Sequence, residues 1–206
     1  MTEPARLVLF APAHGSATEV AAIIDDALQG GPVDAVILTL PEGDDRSKIN
    51  FAKTVGAIVQ ARGAVALVVD TFDLVARAGA DGVHLSTPQH LNEALAMLRP
   101  LERSVGVAGL RARHDSMEAA ELGADYVMFG ERRPDGSAPS VSQVVERAAW
   151  WAELFNTPCV AHAEALADIP ELAATGAEFI SLGVAIFEAA EGPRAAVSEA
   201  VRLLSA

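Results

Sequence analysis

Three stretches of this chain repeat one order of apolar and polar positions: "AGADGVHLS" at 78–86, "LGADYVMFG" at 122–130 and "TGAEFISLG" at 175–183. Each places Gly, Ala and an acid ahead of a short apolar run that closes on a small residue. A glycine just past a helix takes the left-handed C-cap without steric cost. The run behind it has the length of a strand buried on both faces, as in a parallel sheet covered by helices. A small residue at its far end lets the backbone turn tightly or lets a ligand approach. The repetition predicts a recurring helix–strand unit.

The same alternation extends along the chain. Strands are predicted over 5–12, 33–40, 64–70, 81–86, 103–109, 124–130, 157–162 and 177–183. Between them lie helical stretches at 16–31, 48–63, 71–79, 88–100, 111–123, 138–155 and 167–176, and a last one at 193–206. Ser16 is the N-cap candidate of the first, with Gly30–Gly31 as its stop. Asp168 is the N-cap candidate near Pro170. Eight strand–helix units with short loops and no linker predict a parallel sheet in one domain over 1–206. That count and size fit a (β/α)8 barrel. An open doubly wound sheet is the rival, but the first turn, "FAPAHGSAT", lacks the glycine-rich phosphate loop of that fold.

Composition narrows the partners. The 206 residues are 51% hydrophobic and only 5% aromatic, enough for one sizeable core built from Ala, Val and Leu. A net charge of −13 argues against a nucleic-acid partner, which wants clustered Lys and Arg. A small phosphorylated ligand needs only a local site, so the charge does not exclude it. Cys159 is the single cysteine, read as a small buried residue. No stretch approaches the roughly 18 apolar residues of a membrane span, and no signal-peptide pattern stands at the start, so a cytoplasmic protein is the expectation.

In a barrel the chemistry gathers at the C-terminal ends of the strands. Those ends carry Pro12–His14, Glu42–Arg46, Asp70, His84–Gln89, Ala108–His114, Glu131–Ser137, His162–Glu164 and Gly183. From about Ile49 to Phe187, "VALVVDTFDLVARAGADGVHLS", "VGVAG", "GADYVMFG" and "TGAEFISLGVAIF", in that order, resemble the thiamine phosphate synthase family and its relative, the thiazole tautomerase TenI. The resemblance implies a barrel that joins an aminopyrimidine diphosphate to a thiazole phosphate, with Mg²⁺ holding the diphosphate. Several family positions differ here. The Gln-x-Arg-x-Lys pattern after the second strand is absent from "ILTLPEG", and the paired Asn-Asp reads Val69–Asp70. Gln89 stands at the second metal carboxylate, and Ser-x-His after the fifth strand reads Ala108, Gly109, Leu110. The pyrophosphate loop reads "PDGSAP", keeping Pro134 without its Thr and Lys, and Gly-Gly-Ile reads Ala163, Glu164, Ala165.

These departures set the candidate residues. Asp70 is either a catalytic or metal-binding carboxylate, with Mg²⁺ as the metal the resemblance implies, or a helix cap. His84 is either catalytic or a satisfied barrel histidine. His114, one turn beyond the tautomerase-like position, and His162, beside Glu164, are acid–base candidates. His14 and His90 are read as surface residues. Backbone amides at Gly183 and Val184, with Ala163 from the neighbouring loop, are the phosphate-binding candidates. Arg46, Lys48, Arg111, Arg113, Arg132 and Arg133 either gather at the mouth or are solvated loop charges. Trp150–Trp151 are expected against the barrel or a partner in a homodimer.

Overall fold

The computed structural model describes residues 4–132 and 136–205. The strands are β1 (Arg6–Phe10), β2 (Ala35–Leu38), β3 (Val65–Val69), β4 (Gly82–Leu85), β5 (Ser104–Val107), β6 (Tyr126–Phe129), β7 (Cys159–His162) and β8 (Phe179–Leu182). Each pairs in parallel with the next, and β8 returns to β1, so the eight form a closed barrel rather than an open sheet. The helices are α1 (Ala17–Leu28), α2 (Asp45–Ala61), α3 (Val75–Ala78), α4 (Leu91–Leu98), α5 (Arg113–Leu122), α6 (Val141–Leu154), α7 (Ile169–Ala173), α8 (Val184–Phe187) and α9 (Pro193–Leu204). No helix among the described residues is long and apolar enough to cross a membrane.

Local chemistry explains most boundaries. Ser16 caps α1 in a reciprocal capping box with Glu19. The second helix begins earlier than its apolar spacing indicates, because the Asp44 carboxylate accepts the Ser47 amide at 2.8 Å and opens the helix there. Asp168 behaves differently from Ser16 and Asp44. It stands at the N-cap position of α7 as expected, but its carboxylate makes no cap bond there and instead accepts the Ala165 amide at 2.9 Å, closing the turn before the helix.

The repeated Gly-Ala-acid has a structural purpose on both sides of the alanine. Gly79 and Gly123 are left-handed caps with φ of 69° and 96°. The acids reach back one strand: Asp81 accepts the Ala66 amide at 2.9 Å, Asp125 that of Val105 at 2.7 Å, and Glu178 that of Cys159 at 2.8 Å. Each carboxylate thus satisfies an amide at the start of the preceding strand, at the end of the barrel opposite the mouth.

Alternation along the strands sorts two cores. Outward side chains such as Leu9, Leu38, Val68 and Leu182 pack under the helices. Inward ones, Val8, Ile37, Leu67, Ala108, Met128 and Val160, fill the barrel. Trp151 is fully buried and donates its indole N–H to Thr157 O at 2.7 Å, so it packs within its own chain; half-buried Trp150 meets it edge to face.

Candidate active site

Four residues lie in register across neighbouring strands: Val69 on β3, His84 on β4, Gly106 on β5 and Tyr126 on β6. The glycine makes the arrangement work. A Cβ on Gly106 would fall 1.9 Å from Cζ of Tyr126, so only glycine lets the tyrosine ring cross that strand. Its hydroxyl then meets Nδ1 of His84 at 2.8 Å. His84 is 2% exposed, and burial pulls its pKa down to about 4, against a small upward pull from Asp70. The imidazole is therefore neutral near pH 7.

His162, at the end of β7, repeats the motif. Its Nδ1 meets Oγ of buried Ser181 on β8 at 2.9 Å, and burial lowers its pKa, offset in part by Glu164. Phe10 stands between the two histidines, its ring edge-on to each at 5.5 and 5.6 Å. Gly183 adjoins Phe10 in turn: a Cβ there would lie 3.3 Å from that of Phe10. His84, His162 and Gly183 therefore share one end of the barrel with Asp70, which faces His84 electrostatically.

Around this centre the polar groups of the loops bind one another. Asp70, with a left-handed φ of 55°, accepts from the Ser86 amide at 2.8 Å and from the Ser86 hydroxyl at 2.6 Å. It caps the end of β4, and the short helical turn after it starts from Thr71 without a side-chain cap. Glu131, after β6, accepts the Gly109 amide through Oε1, while its buried Oε2 has no hydrogen-bond partner among the described residues. Burial raises the pKa of Glu131. Arg132 pairs with Glu164 across the β6 and β7 loops. Arg147, from α6, donates to Arg111 O at 2.6 Å and Ala112 O at 3.1 Å, fastening the loop after β5.

Other candidates stand elsewhere. His114 is 83% exposed on α5, facing Glu118 of its own helix at 4.0 Å, and makes no described contact with the barrel centre. The Ala163 amide donates to Ser181 O at 2.9 Å; it extends the β7–β8 ladder and is withdrawn from the expected phosphate donors. Val184 is 64% exposed at the start of α8. Arg113 pairs with Glu146 and lies over Trp150, away from the centre. Arg133 and Pro134 lie outside the described residues. His14 and His90 are exposed. Two concavities, of about 240 and 400 Å³, lie at the N-terminal ends of the strands, lined by residues such as Asp125 and Asp34, and not at this mouth.

Comparison with known proteins completes the picture. The sequence pattern of the thiamine monophosphate synthase family matches residues 7–186. The chain belongs to that family. A thiamine-phosphate synthase of Rhodospirillum centenum is 32% identical over 201 residues, covering 97% of each chain. One from Erythrobacter litoralis is 33% identical over 162 residues, covering 75% of this chain and 73% of its own. Thiamine phosphate pyrophosphorylase from Pyrococcus furiosus superposes with a TM-score of 0.80 over 97% of this chain and 95% of its own, at 21% identity, which shows the shared fold. Family and relatives make the chain thiamine-phosphate-synthase-like, of the transferase class in thiamine biosynthesis.

The family's Mg²⁺ can be tested against the residues present. Asp70 is a single carboxylate with both oxygens engaged by Ser86, and Gln89 offers an amide where a second charge is wanted. No group of three or more His, Cys, Asp or Glu placed to hold a metal occurs among the described residues. Magnesium on a diphosphate draws on carboxylate charge, and this donor set does not fit it.

Sequence reading alone missed Phe10, Gly106, Tyr126 and Ser181. A signal existed for two of them: period-two alternation puts Tyr126 on the inward side with Met128, and Ser181 with Gly183.

Proposed function

We propose that this barrel binds a small phosphorylated ligand of thiamine synthesis, such as thiazole phosphate or thiamine phosphate. On this reading the standard condensation of aminopyrimidine diphosphate with thiazole phosphate runs at least about a thousandfold below that of a competent relative. The observation that supports it is the self-pairing of the mouth: Asp70 on Ser86, Glu131 on Gly109 and Glu164 on Arg132. Charges that would serve a metal or a diphosphate are already engaged, and the Lys and Thr of the family's pyrophosphate loop are replaced.

What remains suits a monophosphate. Val184 is 64% exposed at the start of α8, and backbone amides at Gly183 and Val184 would bind phosphate without cationic side chains. His84 and His162, both neutral and each engaged through Nδ1, keep Nε2 as the nitrogen for a proton on a bound ring. Phe10 between them offers an apolar edge to the same ring.

The test is single-turnover condensation by the pure protein with both substrates and Mg²⁺, alongside calorimetry with thiazole phosphate and thiamine phosphate. Binding with product formation at least about a thousandfold below a competent relative supports the reading. Normal turnover refutes the slow chemistry, and no binding of either phosphate up to millimolar concentration refutes the ligand.

A further inference from the structure

Two hydroxyls decide which nitrogen of each barrel histidine carries the proton. Tyr126 reaches Nδ1 of His84 at 2.8 Å, and Ser181 reaches Nδ1 of His162 at 2.9 Å. Neither hydroxyl has another hydrogen-bond partner among the described residues. Ser181 is fully buried, and burial pushes the phenol pKa of Tyr126 up, so each oxygen keeps its proton. Were Nδ1–H to donate, the hydroxyl would accept and its own proton would be stranded, which costs a hydrogen bond outright. Both groups are satisfied when the hydroxyl donates to Nδ1. Burial keeps both rings uncharged, so each has one proton, and that proton then sits on Nε2. Nε2 of each ring has no hydrogen-bond partner among the described residues, and neither nitrogen is sealed from solvent.

We propose that Tyr126 and Ser181 are positioning residues that make His84 and His162 a pair of uncharged Nε2–H donors. This pair selects a ligand ring that carries a free lone pair over a ring that is positively charged. An uncharged imidazole N–H polarises an acceptor without bringing a charge of its own, and it repels a cation. Phe10 stands edge-on to both histidines and Gly183 adjoins it, so a ring beside this pair lies next to the phosphate-binding candidate. The inference rests on the phosphate-ligand reading above and names its ring. An uncharged thiazole keeps the lone pair on its nitrogen, whereas the thiazolium of thiamine phosphate is alkylated there and cationic. The proton that the reading places at Nε2 is thus on the histidine before the ligand arrives.

Nitrogen NMR of the ligand-free full chain at neutral pH reads the tautomer directly, because protonated and unprotonated ring nitrogens resonate far apart. His84→Gln and His162→Gln assign the signals. Both histidines are expected in the Nε2–H form by at least about ten to one. Tyr126→Phe should bring His84, and Ser181→Ala His162, to a mixture of the two forms, while Ser181→Thr keeps the Nε2–H form. Thermal melting checks each fold, and the Ser181 variants carry the test should Tyr126→Phe melt early. Calorimetry then compares thiazole phosphate with its N-methylated thiazolium, which lacks the lone pair. The cation is expected to bind about tenfold more weakly, and Ser181→Ala to narrow that gap. A resting Nδ1–H form at either histidine overturns the proposal, as does equal or tighter binding of the thiazolium. Binding of neither compound removes the phosphate-ligand reading and the selection with it, while the tautomers, measured without ligand, stand or fall separately.

Discussion

Acid should destabilise this protein through a histidine that has no room for its proton. His84 is 2% exposed, and its pKa falls from an ordinary 6.5 to about 4. The groups that face it are Asp70, His162 and the phenol of Tyr126. Below pH 6.5 the unfolded chain takes up a proton that the folded chain refuses, so the unfolded state binds more protons and stability falls with pH. The loss begins near 6.5 and is complete near 4. Those two and a half pH units, at about 1.4 kcal/mol each, amount to about 3.5 kcal/mol. His162 is shifted in the same direction and adds to the slope. Carboxylates also titrate in this range, so the measurement must isolate the ring. Urea unfolding from pH 7.5 to 4.5 is compared between the unaltered protein and His84→Gln, which keeps a polar partner for Tyr126. The stability advantage of the unaltered protein should shrink by about 2 to 3 kcal/mol over that range. An advantage that stays constant, or a His84 ring titrating near 6.5 by NMR, would show that the side chain reaches water and that the buried pair with Tyr126 does not form in solution.

Other outcomes follow from single contacts. Gly106→Ala places a methyl group 1.9 Å from the Tyr126 ring, and displacing that ring also breaks the bond to His84; the expected cost is on the order of 3 kcal/mol in urea melts. No loss there would mean that the ring has another place to go. Asp125→Ala strips the acceptor from the Val105 amide and should cost about 1 to 2 kcal/mol, with Asp125→Asn restoring most of it; equal losses in both variants would assign the effect to charge instead. Gly183→Asp adds bulk and negative charge at the start of α8 and should abolish monophosphate binding, checked by calorimetry, with Gly183→Ala as the control for the 3.3 Å contact that any Cβ there makes with Phe10. Unchanged binding would remove Gly183 from the site.

Much of the fold was legible because its signals are local. A glycine that accepts a left-handed φ, a run whose side chains alternate, and a cap such as Ser16 each act within a few residues of the chain. Eight such units require a parallel sheet with covered faces, and the placement of His84, His162 and Gly183 at one end follows from strand direction alone. The sequence could not show what those residues touch. Asp70 meets Ser86, Glu131 meets Gly109, Arg132 meets Glu164 and His84 meets Tyr126, partners 16 to 42 positions apart. The acid of the Gly-Ala-acid repeat is the same case: its position is a local pattern, but its task, an amide one strand away, exists only once the strands are in register. Closure of the ring chooses that register, and the register chooses the neighbour. A period of two tells which way a side chain points; only the assembled barrel decides what waits there.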